Sequence, residues 1–179
     1  MRRPDVAAAG LRTLVEIAQT RYFKPVPGGW RSLDPILTAH GDRLRCEAFS
    51  ACNGVYARLD LMAQALDDSH LGLGTTNIDI NPPLAAALAA IRPDDPLHLQ
   101  VGASLVSMST PSGTHHERQV DLPERWVRGL AETQSLAAGL PLRAELDTIA
   151  WRRFIHGLAM GGGSGAGVSQ WLLPAATGL

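Results

Sequence analysis

The stretch CEAFSACNGVYARLDL, Cys46 to Leu61, decides the fold of the first half of this chain. At its centre lies Asn53-Gly54, a dipeptide typical of the type I′ turn, because both central positions of that turn need a positive φ. A two-residue loop there pairs Ala48 with Leu59. The small and apolar side chains of both strands then share one face of an antiparallel hairpin, and the charged side chains share the other.

A second turn signal, Gly41-Asp42, adds a third strand in front of this hairpin. The same two-residue loop places Leu37 opposite Cys46 and Ala39 opposite Leu44. Both turns direct the same set of side chains inwards, and a slip by one residue would destroy that agreement. The sequence therefore predicts a three-stranded antiparallel meander.

The outer face of this meander carries charges of both signs. The predicted register places Arg45 diagonally from Asp60, and Glu47 diagonally from Arg58. Opposite charges at such cross-strand positions attract each other, so they favour the same register.

Both cysteines of the chain, Cys46 and Cys52, lie in the quoted stretch. On one continuous strand they would be roughly 20 Å apart. A disulfide needs Cα atoms within about 7 Å, and the ligands of one zinc ion must converge. The histidines also lack any metal-ligand spacing. We therefore expect both thiols to pack in the core, and we predict no metal ligand in this chain.

Helices precede and follow the meander. Residues from Asp5 to about Phe23 repeat their apolar side chains with the helical period, and Asp5 is placed to cap the helix. Pro82-Pro83 opens a shorter helix that runs to about Ile91, with Asn81 as its cap. These patterns predict an N-terminal helix and a short central helix.

The second half of the chain repeats the combination of strands and helices. LHLQVGA and SLVSMST alternate with period two, and ERQVDL (residues 117–122) follows as a return strand beyond a tip at His115-His116. Two helices then begin at Pro123 and Pro141, and their short link predicts a helical hairpin. We predict an α+β fold: an antiparallel β-meander and hairpin packed with an N-terminal helix, a short central helix and a C-terminal helical hairpin.

The length of 179 residues suits one domain, which we place at residues 1–160. Residues 161–179 begin with GGGSGAG, a linker composition, and continue into a strand without a partner. Two interpretations stay open for this segment: the truncated start of a further unit, or a natural tail.

Charge and hydropathy limit the classes of partner. Sixteen Lys and Arg stand against seventeen Asp and Glu, so the whole chain presents no electrostatic case for nucleic-acid binding. No apolar run approaches the ~20 residues that cross a bilayer. We expect a cytoplasmic protein with a protein partner and no membrane partner.

The most unusual polar stretch is GTTNIDINPP, Gly74 to Pro83. Its alternating oxygen ligands resemble the start of a calcium loop, but Pro82 stands where an EF-hand needs glycine, and Leu88 stands where it needs glutamate. Two interpretations remain: a structural cap for the following helix, or a ligand or partner contact. The candidate contact residues are Thr75, Thr76, Asn77, Asp79 and Asn81.

Arginines gather in the last two predicted helices. A local basic surface there could contact nucleic acid, or it could be an ordinary solvated face diluted by neighbouring acidic residues. The candidate residues of this surface are Arg125, Arg128, Arg152 and Arg153.

Several phrases resemble the non-zinc region of bacterial SWIM zinc finger family proteins: CEAFSACNGVYARLDL, LGLGTTNIDINPPLAAAL, DPLHLQVG and VDLPERWVRGLAETQSLAAGL. The zinc motif of that family is C-x-C…C-x-H, and this chain contains neither C-x-C nor C-x-H. The resemblance therefore implies a companion region without a cofactor of its own. Zinc would enter only through a SWIM motif downstream.

The resemblance implies a non-catalytic interaction module that contacts protein or nucleic acid. The alternative is a small-ligand-binding domain or an enzyme that uses the Thr75–Asn81 loop, with His98 or Asp79 as its titratable group. A pocket at that loop with perturbed pKa values would favour the alternative.

Overall fold

A computed structural model describes residues 1–20, 34–66, 72–102, 105–118, 124–142 and 145–159. Four α-helices are present in these residues: α1 Pro4–Gln19, α2 Pro82–Ala89, α3 Glu124–Ala138 and α4 Thr148–Ala159. The strands are β1 Ile36–His40, β2 Arg43–Phe49, β3 Tyr56–Met62, β4 Leu73–Asn77, β5 His98–Val101, β6 Leu105–Thr110 and β7 Gly113–Arg118. They form two antiparallel sheets, so the predicted α+β class is confirmed.

Contacts divide the chain into two compact units, Met1–Thr133 and a second that begins at Gln134. All seven strands lie in the first unit. In the second, α4 begins at Thr148 and not at Pro141, because the Asp147 carboxylate caps it by accepting from the Ile149 amide at 2.8 Å. The predicted domain at 1–160 stays a prediction, and residues 161–179 lie outside the described residues.

The first sheet has the strand order β3-β2-β1-β4. The β1–β2 register places Leu37 opposite Cys46 and Ala39 opposite Leu44, which confirms both predicted pairs. The loop between these strands holds Gly41 and Asp42 alone, and Gly41 has a φ of 81° that favours glycine.

The predicted β2–β3 register is wrong by two residues, because Ala48 pairs with Ala57. The ladder ends at Ser50 and Val55, where the Ser50 amide donates to the Val55 carbonyl at 2.8 Å. The Ser50 hydroxyl oxygen accepts from the Val55 amide at 3.0 Å in return. Four residues therefore form the loop, with Asn53 at a φ of 57°. A shift of two keeps every side chain on its predicted face.

The corrected register moves the charged pairs from diagonal to directly opposite positions. Arg45 faces Asp60 and Glu47 faces Arg58. The Arg45 Nε atom lies 2.8 Å from Asp60 Oδ1.

The two cysteines occupy different environments. Cys46 is buried in the core, as predicted, and burial raises the pKa of its thiol to about 12. Cys52 lies in the four-residue loop and is half-buried, so the single continuous strand assumed for both thiols is wrong. Neither of these two described cysteines is part of a disulfide.

β4 is the outer strand of the first sheet beside β1. It ends at Asn77 and pairs with β1 along its whole length. Ile78 and Ile80 continue from the strand into the core, where both are buried.

The second sheet has the order β5-β6-β7. The return strand is Gly113–Arg118, four residues earlier than predicted. His115 and His116 are therefore not at a hairpin tip but within β7, opposite Met108 and Ser107. The turn lies at Pro111 and Ser112.

The main core lies between α1 and the inner face of the first sheet. The apolar stripe of α1, including Leu11, Leu14 and Ala18, packs with Leu37 and Cys46 in one buried cluster. Side chains of both sheets and of α2 continue this cluster, so the sheets share one core.

The N-terminus of α1 differs from the prediction. The helix begins at Pro4, one residue before Asp5, so Asp5 lies in the first turn instead of capping it. Its carboxylate pairs with Arg3 at 2.8 Å. A carboxylate in the first helical turn still stabilises the helix, because it faces the positive end of the helix dipole.

A smaller cluster covers one end of the outer face of the first sheet. The Trp126 ring of α3 lies 5.9 Å from the Phe49 ring between centroids, and Ile36 completes the buried set. Gly129 allows this approach, because a Cβ at that position would lie 3.1 Å from the Phe49 ring.

Candidate functional site

The candidate site is a groove of about 280 Å³ beside the outer strand β4, which we call the β4 groove. It lies within the first unit. Its lining consists of Ala39, Gly72, Leu73, Gly74, Thr75, Thr76, Val101 and Gly102.

The backbone of β4 alternates between its partner strand and the opposite side. The Ile78 amide donates to the Pro35 carbonyl at 3.0 Å, which makes these residues a hydrogen-bonded pair. In an antiparallel ladder such pairs recur every second residue, so Thr76 and Gly74 also direct their backbone groups towards β1. Leu73 and Thr75 direct theirs away from it, and no described strand lies on that side.

A side-chain contact supports this alternation. The hydroxyl oxygens of Thr38 and Thr75, which lie opposite each other, are 3.2 Å apart. Residues of a non-hydrogen-bonded pair approach more closely than those of a hydrogen-bonded pair, so this contact is expected where the backbone groups of Thr75 point outwards.

The side chains of the β4 groove are apolar or small. Leu73 is 86% exposed, an unusual state for a leucine in a strand, and Val101 on β5 is 37% exposed. Gly74 has a φ of 150°, a conformation that only glycine adopts readily. The groove therefore offers apolar surface beside accessible backbone.

The predicted contact residues Thr75–Asn81 do not form one loop. Thr75, Thr76 and Asn77 belong to β4, where Thr76 and Asn77 are buried. Only Thr75 and Thr76 line the β4 groove. Asp79 is exposed beyond the end of the strand.

Asn81 has the structural role that we predicted. Its side-chain oxygen accepts from the Leu84 amide at 3.0 Å and so caps α2. Its side-chain nitrogen donates to Glu117 Oε1 on β7 at 2.6 Å. One amide therefore links the start of α2 to the second sheet.

Glu117 is the titratable residue that the sequence analysis missed. Burial raises the pKa of its carboxyl above the ordinary value, and the negative charge of Asp79 raises it further. His115, two residues away, has a buried Nε2 atom without a hydrogen-bond partner among the described residues. With β7 starting at Gly113, the period-two alternation of a strand would have placed His115 and Glu117 on the same face. The prediction missed them because it started this strand at Glu117.

A cluster of three arginines around one aspartate covers the outer face of β2 and β3. Asp60 lies 2.8 Å from Arg45, 3.4 Å from Arg58 and 3.7 Å from Arg43, measured between nitrogen and oxygen atoms. The hydrogen bond from Arg45 lowers the pKa of the Asp60 carboxyl below its ordinary value. The sequence predicts the Arg45–Asp60 pair but not the other two partners of Asp60.

The predicted basic surface is spread over both units. Arg128 in the first unit pairs with Glu124 at 3.1 Å, whereas Arg152 and Arg153 lie exposed on α4 in the second. The side chain of Arg125 lies outside the described residues. The arginine surface stays a prediction.

In the part of the chain that the structure describes, no three His, Cys, Asp or Glu side chains are grouped so that they could hold a metal ion. None of its helices combines the length and the apolar character that crossing a membrane requires. His98, the other titratable group considered for the alternative function, begins β5 and is exposed.

Comparisons with known proteins leave the family open. Neither a family model nor a curated protein matches the chain. The chain is similar to the crystal structure of a DnaN sliding clamp (DNA polymerase III subunit beta) from Pseudomonas aeruginosa bound to griselimycin, with 12% identity and a TM-score of 0.44. The match covers 68% of this chain and 30% of the clamp chain, so the chain spans less than a third of that protein.

Proposed function

We propose that this chain is a protein-interaction module whose β4 groove binds an extended peptide segment of a partner protein. The peptide would pair with β4 as an added strand. The observation that carries the proposal is the outward direction of the Leu73 and Thr75 backbone groups, with no described strand beyond them. In strand addition, main-chain hydrogen bonds supply affinity, and pockets for alternate side chains supply specificity.

The composition of β4 supports this role. Proteins usually protect exposed sheet edges with charged side chains, proline or bulges, because unpaired edges recruit other chains. β4 reads LGTTN and carries none of these protections. The outer strands β3 and β7 do carry charges, with Arg58 and Asp60 on β3 and Glu117 on β7.

The lining of the groove indicates the chemistry of the peptide. Leu73 and Val101 offer apolar surface, and none of the described residues that line the groove is charged. Burying a charge without a partner is costly, so the bound segment should be uncharged where it meets β4. We expect an apolar side chain on the peptide opposite Leu73.

The polar residues that could have served a catalytic or small-ligand site have structural partners instead. The side-chain oxygen of Asn81 caps α2, and its side-chain nitrogen donates to Glu117. Thr75 contacts Thr38. These contacts favour the interaction role over the enzyme or small-ligand alternative. A peptide-binding module also fits what the SWIM resemblance implies for a companion region, and that family relationship stays a prediction.

A pair of proline variants tests the proposal. Thr75→Pro removes an amide that points away from β1, so the fold should tolerate it while a pairing donor is lost. Arg58→Pro makes the same change on β3, where the Arg58 amide points away from β2, and it serves as the matched control. The probes are displayed random peptides of about six residues, the length of a typical strand, selected on the purified chain.

We expect selected peptides to bind Thr75→Pro at least about fivefold more weakly than wild type, because the complex loses one backbone hydrogen bond and the proline ring disturbs the neighbouring contacts. Binding to Arg58→Pro should be unchanged. Circular dichroism checks that both variants are folded. Selection of no peptide, or equal binding to wild type and Thr75→Pro, would overturn the proposal.

A further inference from the structure

A second groove lies between α1 and α2, on a different part of the first unit from β4. Its volume is about 430 Å³, within the range of 300–1,000 Å³ typical of ligand-binding clefts. Val15, Ile80 and Ala85 contribute apolar surface, and Arg12 and Glu16 of α1 are the charged residues of its lining. The groove shares no lining residue with the β4 groove.

The α2 side of this groove is apolar where a surface helix is normally polar. α2 reads PPLAAALA, and its exposed residues include Ala86 and Ala89, both of which line the groove. A surface helix of a globular protein normally carries charged or polar residues on its outer side, and a helix without them is usually covered. No described residue covers this side of α2.

The α1 side carries one charge of each sign. Arg12 and Glu16 lie one helical turn apart, with side chains 41% and 68% exposed. Their closest nitrogen and oxygen atoms are 3.8 Å apart, so they form at most a long ion pair with each other. Both side chains can therefore reach a partner.

This pattern of charges is complementary to itself. In a dimer with a two-fold axis, the same patch of both subunits meets, so residue i of one contacts residue j of the other and the reverse. Two antiparallel copies of α1 would bring Arg12 of each copy to Glu16 of the other. A second copy of this chain thus supplies both the matching charges and an apolar surface to cover Ala86 and Ala89.

From the groove, the uncovered helix and the paired charges, we infer that the chain forms a two-fold homodimer in which the α1–α2 grooves of two copies face each other. Arg12 and Glu16 form reciprocal ion pairs at the rim. The small side chains of α2 let the two copies approach closely. This interface is independent of the peptide-binding role of β4.

Sedimentation equilibrium of the full chain, from micromolar to millimolar concentration, tests the inference. Wild type should dimerise. Arg12→Glu and Glu16→Arg should each weaken the homodimer about fivefold to tenfold, because each replaces two attractive contacts with two repulsive ones. An equimolar mixture of the two variants should recover wild-type association, since an acidic rim then meets a basic rim. This recovery distinguishes a two-fold contact from general damage.

A second pair of variants tests the apolar side. Ala86→Arg should abolish the dimer, whereas Ala131→Arg, at an exposed helical alanine of α3 outside the groove, should leave it intact. Should Ala86→Arg fail to fold, the mixture of charge variants decides alone, since it alters only solvent-accessible side chains. A monomeric wild type, or a dimer insensitive to both charge variants, would overturn the inference.

Discussion

The two outer strands of the first sheet, β3 and β4, differ in how they meet solvent. β3 carries Arg58 and Asp60, which join a network of ion pairs on the sheet surface. In β4, the exposed Leu73 lies between Gly72, just before the strand, and Gly74, and there is open space beside both glycines. β4 carries no charge. Charged side chains discourage edge pairing, and their absence invites it. One sheet therefore combines a protected edge with an open one.

The largest effect should come from removing the centre of the β3 network. Asp60→Asn should destabilise the fold by about 2 kcal/mol, because Arg45 loses a charged hydrogen-bond partner at a site where Asp60 is only 17% exposed. Urea unfolding measures the change. Asp42→Asn, which removes an exposed partner of Arg43, is the control and should cost far less, because solvent screens an exposed ion pair. Equal costs would show that the network does not stabilise β3.

The same network makes stability depend on pH. The Arg45 hydrogen bond lowers the pKa of Asp60 in the folded chain, so the unfolded chain binds a proton first as pH falls. The stabilisation is present above the unfolded pKa and is lost as pH falls through the folded pKa. Unfolding midpoints measured from neutral to acid pH should show this loss in wild type and a smaller one in Asp60→Asn. Parallel curves for both proteins would contradict it.

Glu117, on the outer strand β7, should behave in the opposite way. Its folded pKa is raised by burial, so the folded chain binds the proton more tightly than the unfolded chain does. Stability should therefore fall as pH rises from the unfolded pKa through the folded one. Glu117→Gln, which can still accept from Asn81, should stabilise the fold at neutral pH by up to about 1 kcal/mol. Thermal unfolding checks this, and a destabilised variant would show that the charge is needed.

The smallest effect on stability should come from protecting β4. Thr75→Lys places a charge on an exposed edge residue, so the free energy of unfolding should change by less than about 0.5 kcal/mol. Peptide binding should nevertheless be lost, because no described residue of the groove lining carries a charge that could pair with the lysine. Titration with a selected peptide provides the measurement. Undiminished binding would place the peptide elsewhere.

Local chemistry explains how far the sequence could predict this fold. The β1–β2 register was correct because the loop is closed by Gly41 and Asp42 alone. The β2–β3 register was wrong because the Ser50 side chain accepts the Val55 amide and lengthens the loop, a contact that the Asn53-Gly54 pattern does not reveal. The predicted inner and outer faces of β2 and β3 were nevertheless right, because the register was wrong by two residues and side-chain direction repeats every two residues.

The candidate site was less accessible to sequence analysis, because it depends on pairing between distant residues. β4 is an outer strand because Thr75 pairs with Thr38, which lies far from it in the sequence. The groove also needs Val101 of β5 as part of its lining. The polar pattern of Thr75–Asn81 drew attention to this region for another reason. Its capping residue, Asn81, was predictable from the helix that follows.

Hydrogen exchange at consecutive amides of β4 shows whether the outer edge of this strand is open to a peptide. In the free chain, the Thr75 amide should exchange rapidly, since it points away from β1, whereas the Thr76 amide should be protected by its bond to β1. A bound peptide should then protect Thr75 and leave Thr76 unchanged. Equal protection of both amides in the free chain would contradict the account, because the edge of β4 would already be paired.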